Sequence, residues 1–105
     1  MQPEQIQQLI QQGEGLTLEF KTAHHELPLS IFETVCAFLN RLGGTLLLGV
    51  NNKGEVSGVE KQYVVKIKKE LANALNNPQI LNPPIYIIPG EVEIEGKNNS
   101  YYSGS

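Results

Sequence analysis

The chain has 105 residues, of which 40% are hydrophobic and 18% charged, and this is enough for one small domain with an ordinary core. Its net charge of −3 excludes a protein coated with basic residues, and its apolar runs are too short to span a bilayer. The single cysteine, Cys36, excludes an internal disulfide and a cysteine-based zinc site. Because the N-terminus also lacks the layout of a signal peptide, we predict a cytoplasmic protein with no membrane partner.

The first predicted elements are a short helix, a strand and a longer helix. Pro3–Gln12 carries apolar residues at helical spacing and precedes Gly13, which is typical of a short amphipathic helix. Thr17–Lys21 alternates apolar and polar residues, and this alternation predicts a half-buried strand. Ser30 is a capping residue for the next predicted helix, which continues to about Leu42.

A buried strand, a turn and a second long helix follow. Thr45–Val50 is apolar on both faces and predicts a strand inside the sheet. Asn51–Gly54 has the composition of a hairpin turn, and Glu55–Val59 is predicted as the returning strand. Lys61–Asn76 predicts a helix with one apolar stripe buried and the opposite side polar.

The end of the chain predicts two more strands and a tail. Ile85–Ile88 and Glu91–Glu95 are predicted as strands that are joined through Pro89–Gly90. The fold class is therefore α+β, with a mixed or antiparallel sheet of about five strands, two principal helices and the short N-terminal helix. We assign residues 1–97 to one domain and residues 98–105 to a polar tail of the kind that cloning leaves.

Several chemistries are disfavoured by the spacing of the residues. Gly13-Glu14-Gly15 lacks the third glycine and the preceding strand of a dinucleotide-binding loop, and no lysine follows a glycine-rich loop as in a phosphate-binding loop. His24 and His25 are adjacent in a predicted loop, and such pairs are more often solvent-exposed than bound to a metal. Cys36 falls on the apolar stripe of its helix, which favours packing over nucleophilic chemistry.

Lysines are concentrated in one part of the chain. They are Lys53, Lys61, Lys66, Lys68 and Lys69. Against two glutamates in the same stretch they give a local charge of +3, so that the remainder of the chain carries −6. Such a group of lysines is either a basic face for the phosphates of DNA or RNA or the solvated surface of a helix.

Short motifs between residues 13 and 58 follow one another in a characteristic order. They are Gly13-Glu14, Leu18-Glu19-Phe20-Lys21, Val35-Cys36-Ala37-Phe38-Leu39-Asn40, Gly43-Gly44-Thr45-Leu46, Gly49-Val50-Asn51-Asn52 and Gly54-Glu55-Val56-Ser57-Gly58. Together they resemble the Schlafen AlbA-type domain, a DNA-binding domain family also called divergent AAA-4. The resemblance implies a nucleic-acid-binding domain of a bacterial-type transcriptional regulator or helicase-related protein. The family is also labelled ATP-binding, although no phosphate-binding loop of this chain supports that label.

The resemblance also implies a catalytic alternative. Schlafen-type relatives that cleave RNA use two glutamates at a five-residue spacing, matched here by Glu14 and Glu19, and an aspartate after the Gly-Val of the central strand. Three such carboxylates hold Mg²⁺ or Mn²⁺ for phosphodiester hydrolysis. Because Asn51 or Asn52 stands at the third position, we predict nucleic-acid binding with weak or absent cleavage and no required cofactor, and a metal-dependent endoribonuclease remains the alternative.

A protein-interaction or dimerisation module is the third possibility. The family continues with a further strand after the one at residues 91–97, so the chain is predicted to be truncated, with an open sheet edge that favours a homodimer. For the fold itself we expect Glu19 and the Asn51-Asn52 turn to lie close together at one end of the sheet. The helix from Ser30 to Leu42 is expected to pack across the sheet, and the strand at Thr45–Val50 to lie away from its edges.

Overall fold

The computed structural model describes residues 1–22, 43–75 and 87–104. Its elements in chain order are α1 (Pro3–Gln12), β1 (Leu18–Lys21), β2 (Gly44–Leu48), α2 (Lys61–Leu75), β3 (Ile87–Ile94) and β4 (Lys97–Gly104). The predicted α+β class is confirmed, with four strands in the described sheet instead of about five. The predicted helix from Ser30 to Leu42, which includes Cys36, and the histidines at 24 and 25 lie outside the described residues.

The sheet has the strand order β1-β2-β4-β3 and is mixed. β1 runs parallel to β2, whereas β4 is antiparallel to both β2 and β3. Leu47 illustrates the central place of β2, because it is opposite Phe20 on one side and Tyr101 on the other. A strand that is apolar on both faces is typical of the interior of a sheet, where both faces are covered. The prediction of an interior strand at Thr45–Val50 is therefore confirmed.

One face of the sheet carries the main core, which α1 covers. Helical spacing places Ile6, Leu9 and Ile10 on one side of α1, and Ile6 is fully buried. On the sheet side the same cluster contains Leu18, Phe20, Leu47, Val50, Val92, Ile94 and Tyr101. Pro3 in the first turn and Gly13 at the end define the limits of α1, as the sequence predicts.

The prediction of a polar tail at residues 98–105 was wrong for most of that segment. Residues 97–104 form β4, which lies inside the sheet between β2 and β3. Tyr101 and Tyr102 are buried there, and Asn99 and Ser100 are only 1% exposed. The strand that was expected to be missing after residue 97 is thus present. β4 was missed because its burial comes from the two neighbouring strands and not from an apolar pattern of its own.

The turn assigned to Pro89–Gly90 was also wrong. Both residues lie within β3, where Gly90 is opposite Tyr101 and a Cβ atom on Gly90 would overlap the tyrosine ring. The actual hairpin turn is Glu95–Gly96, whose φ angles of 55° and 74° are those of a tight two-residue turn. The strand predicted at Glu55–Val59 is reduced to a single bridge between Val50 and Val56.

Candidate nucleic-acid interface and carboxylate pair

Glu14 is held against β1 by a tight reversal of the chain. The amide of Gly15 donates to the carbonyl oxygen of Leu18 at 2.9 Å, which folds the segment before β1 back along the strand. The amide of Phe20 then donates to Glu14 Oε2 at 3.2 Å. Glu14 therefore accepts a hydrogen bond from the backbone of β1, independently of any role as a metal ligand.

The structure brings Glu19 and Glu14 together, as the family resemblance implies. Partial burial, a hydrogen bond that the protonated Glu19 carboxyl group donates to Glu14 and repulsion by the charge of Glu14 all raise the pKa of Glu19 above its usual value. Lys21 acts in the opposite direction, with its Nζ 3.6 Å from Glu19 Oε1. The pair thus offers oxygen ligands for a hard cation, but a lysine ammonium already balances part of its charge.

Asn51 is used by its own turn. Its Oδ1 accepts hydrogen bonds from the amides of Lys53 and Glu55, both at 2.9 Å, and its Nδ2 donates to Glu55 Oε1 at 3.1 Å. No hydrogen bond or ion pair joins Asn51 to Glu19 in the described part of the chain. The expected closeness of Glu19 to this turn, and the role of Asn51 as a metal ligand, stay predictions.

The five lysines of the predicted basic face are all exposed, and four of them belong to α2. The fifth, Lys53, lies in the turn at residues 51–54, where the neighbouring Gly54 packs near Ile10 of α1. Lys66 Nζ lies 3.9 Å from Glu70 Oε1, so its charge is partly balanced within the helix. The described contacts connect the turn that carries Lys53 to α1 through Gly54, and none of them connects Lys53 to the lysines of α2.

The start of α2 is fixed by a junction at the end of β2. The Gly49 carbonyl oxygen accepts from the amides of Ser57 and Gly58, at 2.7 and 2.9 Å, and from the Ser57 hydroxyl at 3.1 Å. The Val59 amide donates to the Asn98 carbonyl oxygen at 2.6 Å. These bonds tie the segment before α2 to β2 and to β4, and they hold the helix in place with its lysines outward.

Two residues at these sites were not singled out from the sequence. Asn99 is buried beside Gly49, and nothing in the polar sequence of β4 indicated this. Val65 is 66% exposed on α2. Helical periodicity could have predicted this exposure, because Val65 lies outside the apolar stripe that contains Val64 and Ile67. Val65 is thus an exposed apolar residue between the lysines of this surface.

The described residues place limits on two other kinds of site. They contain no group of three or more histidine, cysteine, aspartate or glutamate side chains that is suited to hold a metal ion. No helix among them is long and apolar enough to cross a membrane.

Comparison with known proteins identifies the family. Curated proteins yield no match to this chain. The family model described as Schlafen, AlbA_2 matches residues 14–102, which include β1, β2, α2, β3 and most of β4. This family fits a nucleic-acid-binding or related domain. With the match extending over most of its length, the chain belongs to the Schlafen AlbA_2 family.

Proposed function

We propose that this domain binds nucleic acid through the phosphate backbone, chiefly with the lysines of α2. The observation that carries the proposal is the composition of that helix: four lysines against one glutamate, with all four lysines exposed and Val64 and Ile67 buried. A helix anchored by one apolar stripe presents polar and charged residues on its opposite face, where a partner can reach them. Lys53 is the fifth proposed contact.

Such a surface determines how binding responds to salt. Each phosphate that a lysine neutralises releases counterions, and contributes about 0.9 to the slope of log affinity against log salt on B-form DNA. Three to five contacts are consistent with nonspecific affinities of roughly 10⁻⁴ to 10⁻⁶ M at physiological salt. Within a longer protein, this domain would deliver the regulatory or helicase-related part of a bacterial-type protein to nucleic acid.

The test compares two variants of equal net charge. Lys68→Gln with Lys69→Gln changes the net charge from −3 to −5, and Gln8→Glu with Gln12→Glu on the exposed side of α1 makes the same change. We expect the lysine variant to lose roughly tenfold in affinity for DNA and RNA and about 2 units of salt slope, whereas the α1 variant changes little. Equal effects of the two variants, or affinity that does not fall with salt, would contradict the proposal.

Metal-dependent RNA cleavage is the second candidate, and the Glu14–Glu19 pair is the observation in its favour. Two carboxylates within hydrogen-bonding reach are a usable part of a divalent-ion site. The residues do not complete such a site, because Asn51 carries no charge and its oxygen is bound by two amides of its turn. We therefore propose binding without efficient cleavage.

Dimerisation through a sheet edge is less well supported by the described strands. At the β1 edge the Phe20 amide is already bound by Glu14. At the β3 edge the exposed Glu91, Glu93 and Glu95 would face the same charges of a second copy. Charges on an edge strand are a common device against edge-to-edge pairing.

A further inference from the structure

The exposed face of α2 has an apolar centre with lysines on both flanks. Val65 is 66% exposed, whereas Val64 and Ile67 of the same helix are buried. Residues three and four positions apart are neighbours on a helix, so Lys61, Lys68 and Lys69 surround Val65. A solvated helix surface needs the lysines, but it does not need an exposed valine between them.

We propose that α2 enters the major groove of B-form DNA, with Val65 against the base edges and the lysines toward the phosphates on either side. This inference rests on the proposed nucleic-acid binding and adds to it the type of duplex and the residue that contacts bases. An α-helix with side chains is about 10–12 Å wide and the major groove about 12 Å wide, so the dimensions agree. The 15 residues of α2 extend for roughly 22 Å, which is enough to follow the groove for several base pairs.

The chemistry of Val65 favours DNA over double-stranded RNA. A valine side chain has no hydrogen-bonding group, and the apolar group on the base edges of the major groove is the thymine methyl. In A-form RNA the major groove is deep and narrow, and side chains cannot read it. Uracil, moreover, lacks the methyl group. The lysines give affinity without sequence preference, whereas Val65 gives a preference for thymine-containing duplexes.

The experiment removes the thymine methyl group and the Val65 side chain separately. The full chain is titrated into one DNA duplex containing thymine and into the same duplex with deoxyuridine in its place. The proteins compared are the wild type, Val65→Ala, and a control, Leu16→Ala, which shortens an apolar side chain that is 77% exposed just before β1. Alanine favours helix, so Val65→Ala is expected to fold, and circular dichroism with thermal melting verifies this.

We expect the wild type to bind the deoxyuridine duplex about fourfold more weakly, as roughly one buried methyl group would give. Val65→Ala should bind the thymine duplex about fourfold more weakly and show no further loss on deoxyuridine. Leu16→Ala should behave as the wild type does on both duplexes. A matching RNA duplex should bind more weakly than either DNA at the same salt concentration.

Other results overturn the inference in distinguishable ways. If Val65→Ala still discriminates between the two duplexes, or the wild type does not, Val65 does not contact thymine. If the RNA duplex or a single strand binds as well as the DNA duplex, α2 does not dock in the B-form groove. The proposed nucleic-acid binding still holds in that case, provided that the variant with Lys68→Gln and Lys69→Gln binds more weakly than the wild type. If Val65→Ala changes only self-association, the patch is a protein interface. If no nucleic acid binds, both proposals fail.

Discussion

Gly49 is the position where a single methyl group should disturb both the core and the start of α2. Its φ of +92° lies in the left-handed region, and a Cβ atom there would overlap Asn99 Oδ1 and lie 3.0 Å from the Gly58 backbone. The left-handed conformation costs a non-glycine residue roughly 1–2 kcal/mol. Overpacking at a rigid site costs roughly 1–3 kcal/mol more. Gly49→Ala should therefore destabilise the fold by about 2–5 kcal/mol.

A second glycine separates the two contributions. Gly13 has a similar φ of +86°, but a Cβ atom there would have nothing within 4 Å. Gly13→Ala should therefore lose only the conformational part, roughly 1–3 kcal/mol for a non-glycine residue at a φ of 86° and a ψ of 169°. Urea unfolding followed by circular dichroism gives both free energies. If Gly49→Ala is no more destabilising than Gly13→Ala, then the contacts of Gly49 with Asn99 and Gly58 do not constrain the junction.

Three further predictions concern the pH response, catalysis and the hairpin. Because the pKa of Glu19 is raised in the folded state, this group contributes stability that is present at low pH and is lost as the pH rises through its folded pKa. Glu19→Gln should therefore weaken the dependence of the melting temperature on pH in thermal melts between pH 4 and 7. Incubation of the wild type with structured RNA and Mn²⁺ should give little cleavage, and efficient cleavage abolished by Glu19→Ala would show that Asn51 or Asn52 suffices as the third ligand. Glu95 has a φ of 55°, which asparagine tolerates better, so Glu95→Asn should raise the free energy of unfolding by roughly 0.5 kcal/mol or more in urea titrations.

The elements predicted correctly are those whose signal is local. α1 is fixed by three apolar residues at helical spacing between Pro3 and Gly13, and α2 by a similar stripe. Val92 and Ile94 face the core while Glu91 and Glu93 are exposed, as the alternation in β3 predicts. In each case neighbours in the sequence determine which side is buried, so periodicity alone is sufficient.

β4 was missed because its signal is not local. Pro89-Gly90 has the composition of a turn, yet Gly90 lies in β3 because the Tyr101 ring occupies the space where a side chain would be. That requirement comes from a residue 11 positions later in the chain. Once Pro89-Gly90 was taken as the turn, Glu95-Gly96 was overlooked and the strand after it was assigned to a tail. A glycine opposite an aromatic residue can be recognised only when the register is known.

The site was predictable as a set of residues but not as a set of roles. The family resemblance implied that Glu14 and Glu19 belong to one site, and the pKa of Glu19 is raised by its partial burial and by its proximity to Glu14. That Glu14 also binds the Phe20 amide follows only from the reversal at Gly15. The same holds for Asn51, whose amide side chain organises the turn that its sequence predicts.

The double use of Glu14 bears on how the carboxylate pair is to be interpreted. Its bond to the Phe20 amide satisfies a backbone donor at the edge of β1, a position that would otherwise be open to pairing with another chain. Glu14 therefore contributes to the fold whether or not a metal ion is ever bound. Glu19 is balanced by Lys21 and likewise needs no metal ion to be tolerated. The presence of both glutamates is thus compatible with the proposed domain that binds nucleic acid without cleaving it, and we propose that the asparagine at the third position, Asn51 or Asn52, decides between binding and cleavage.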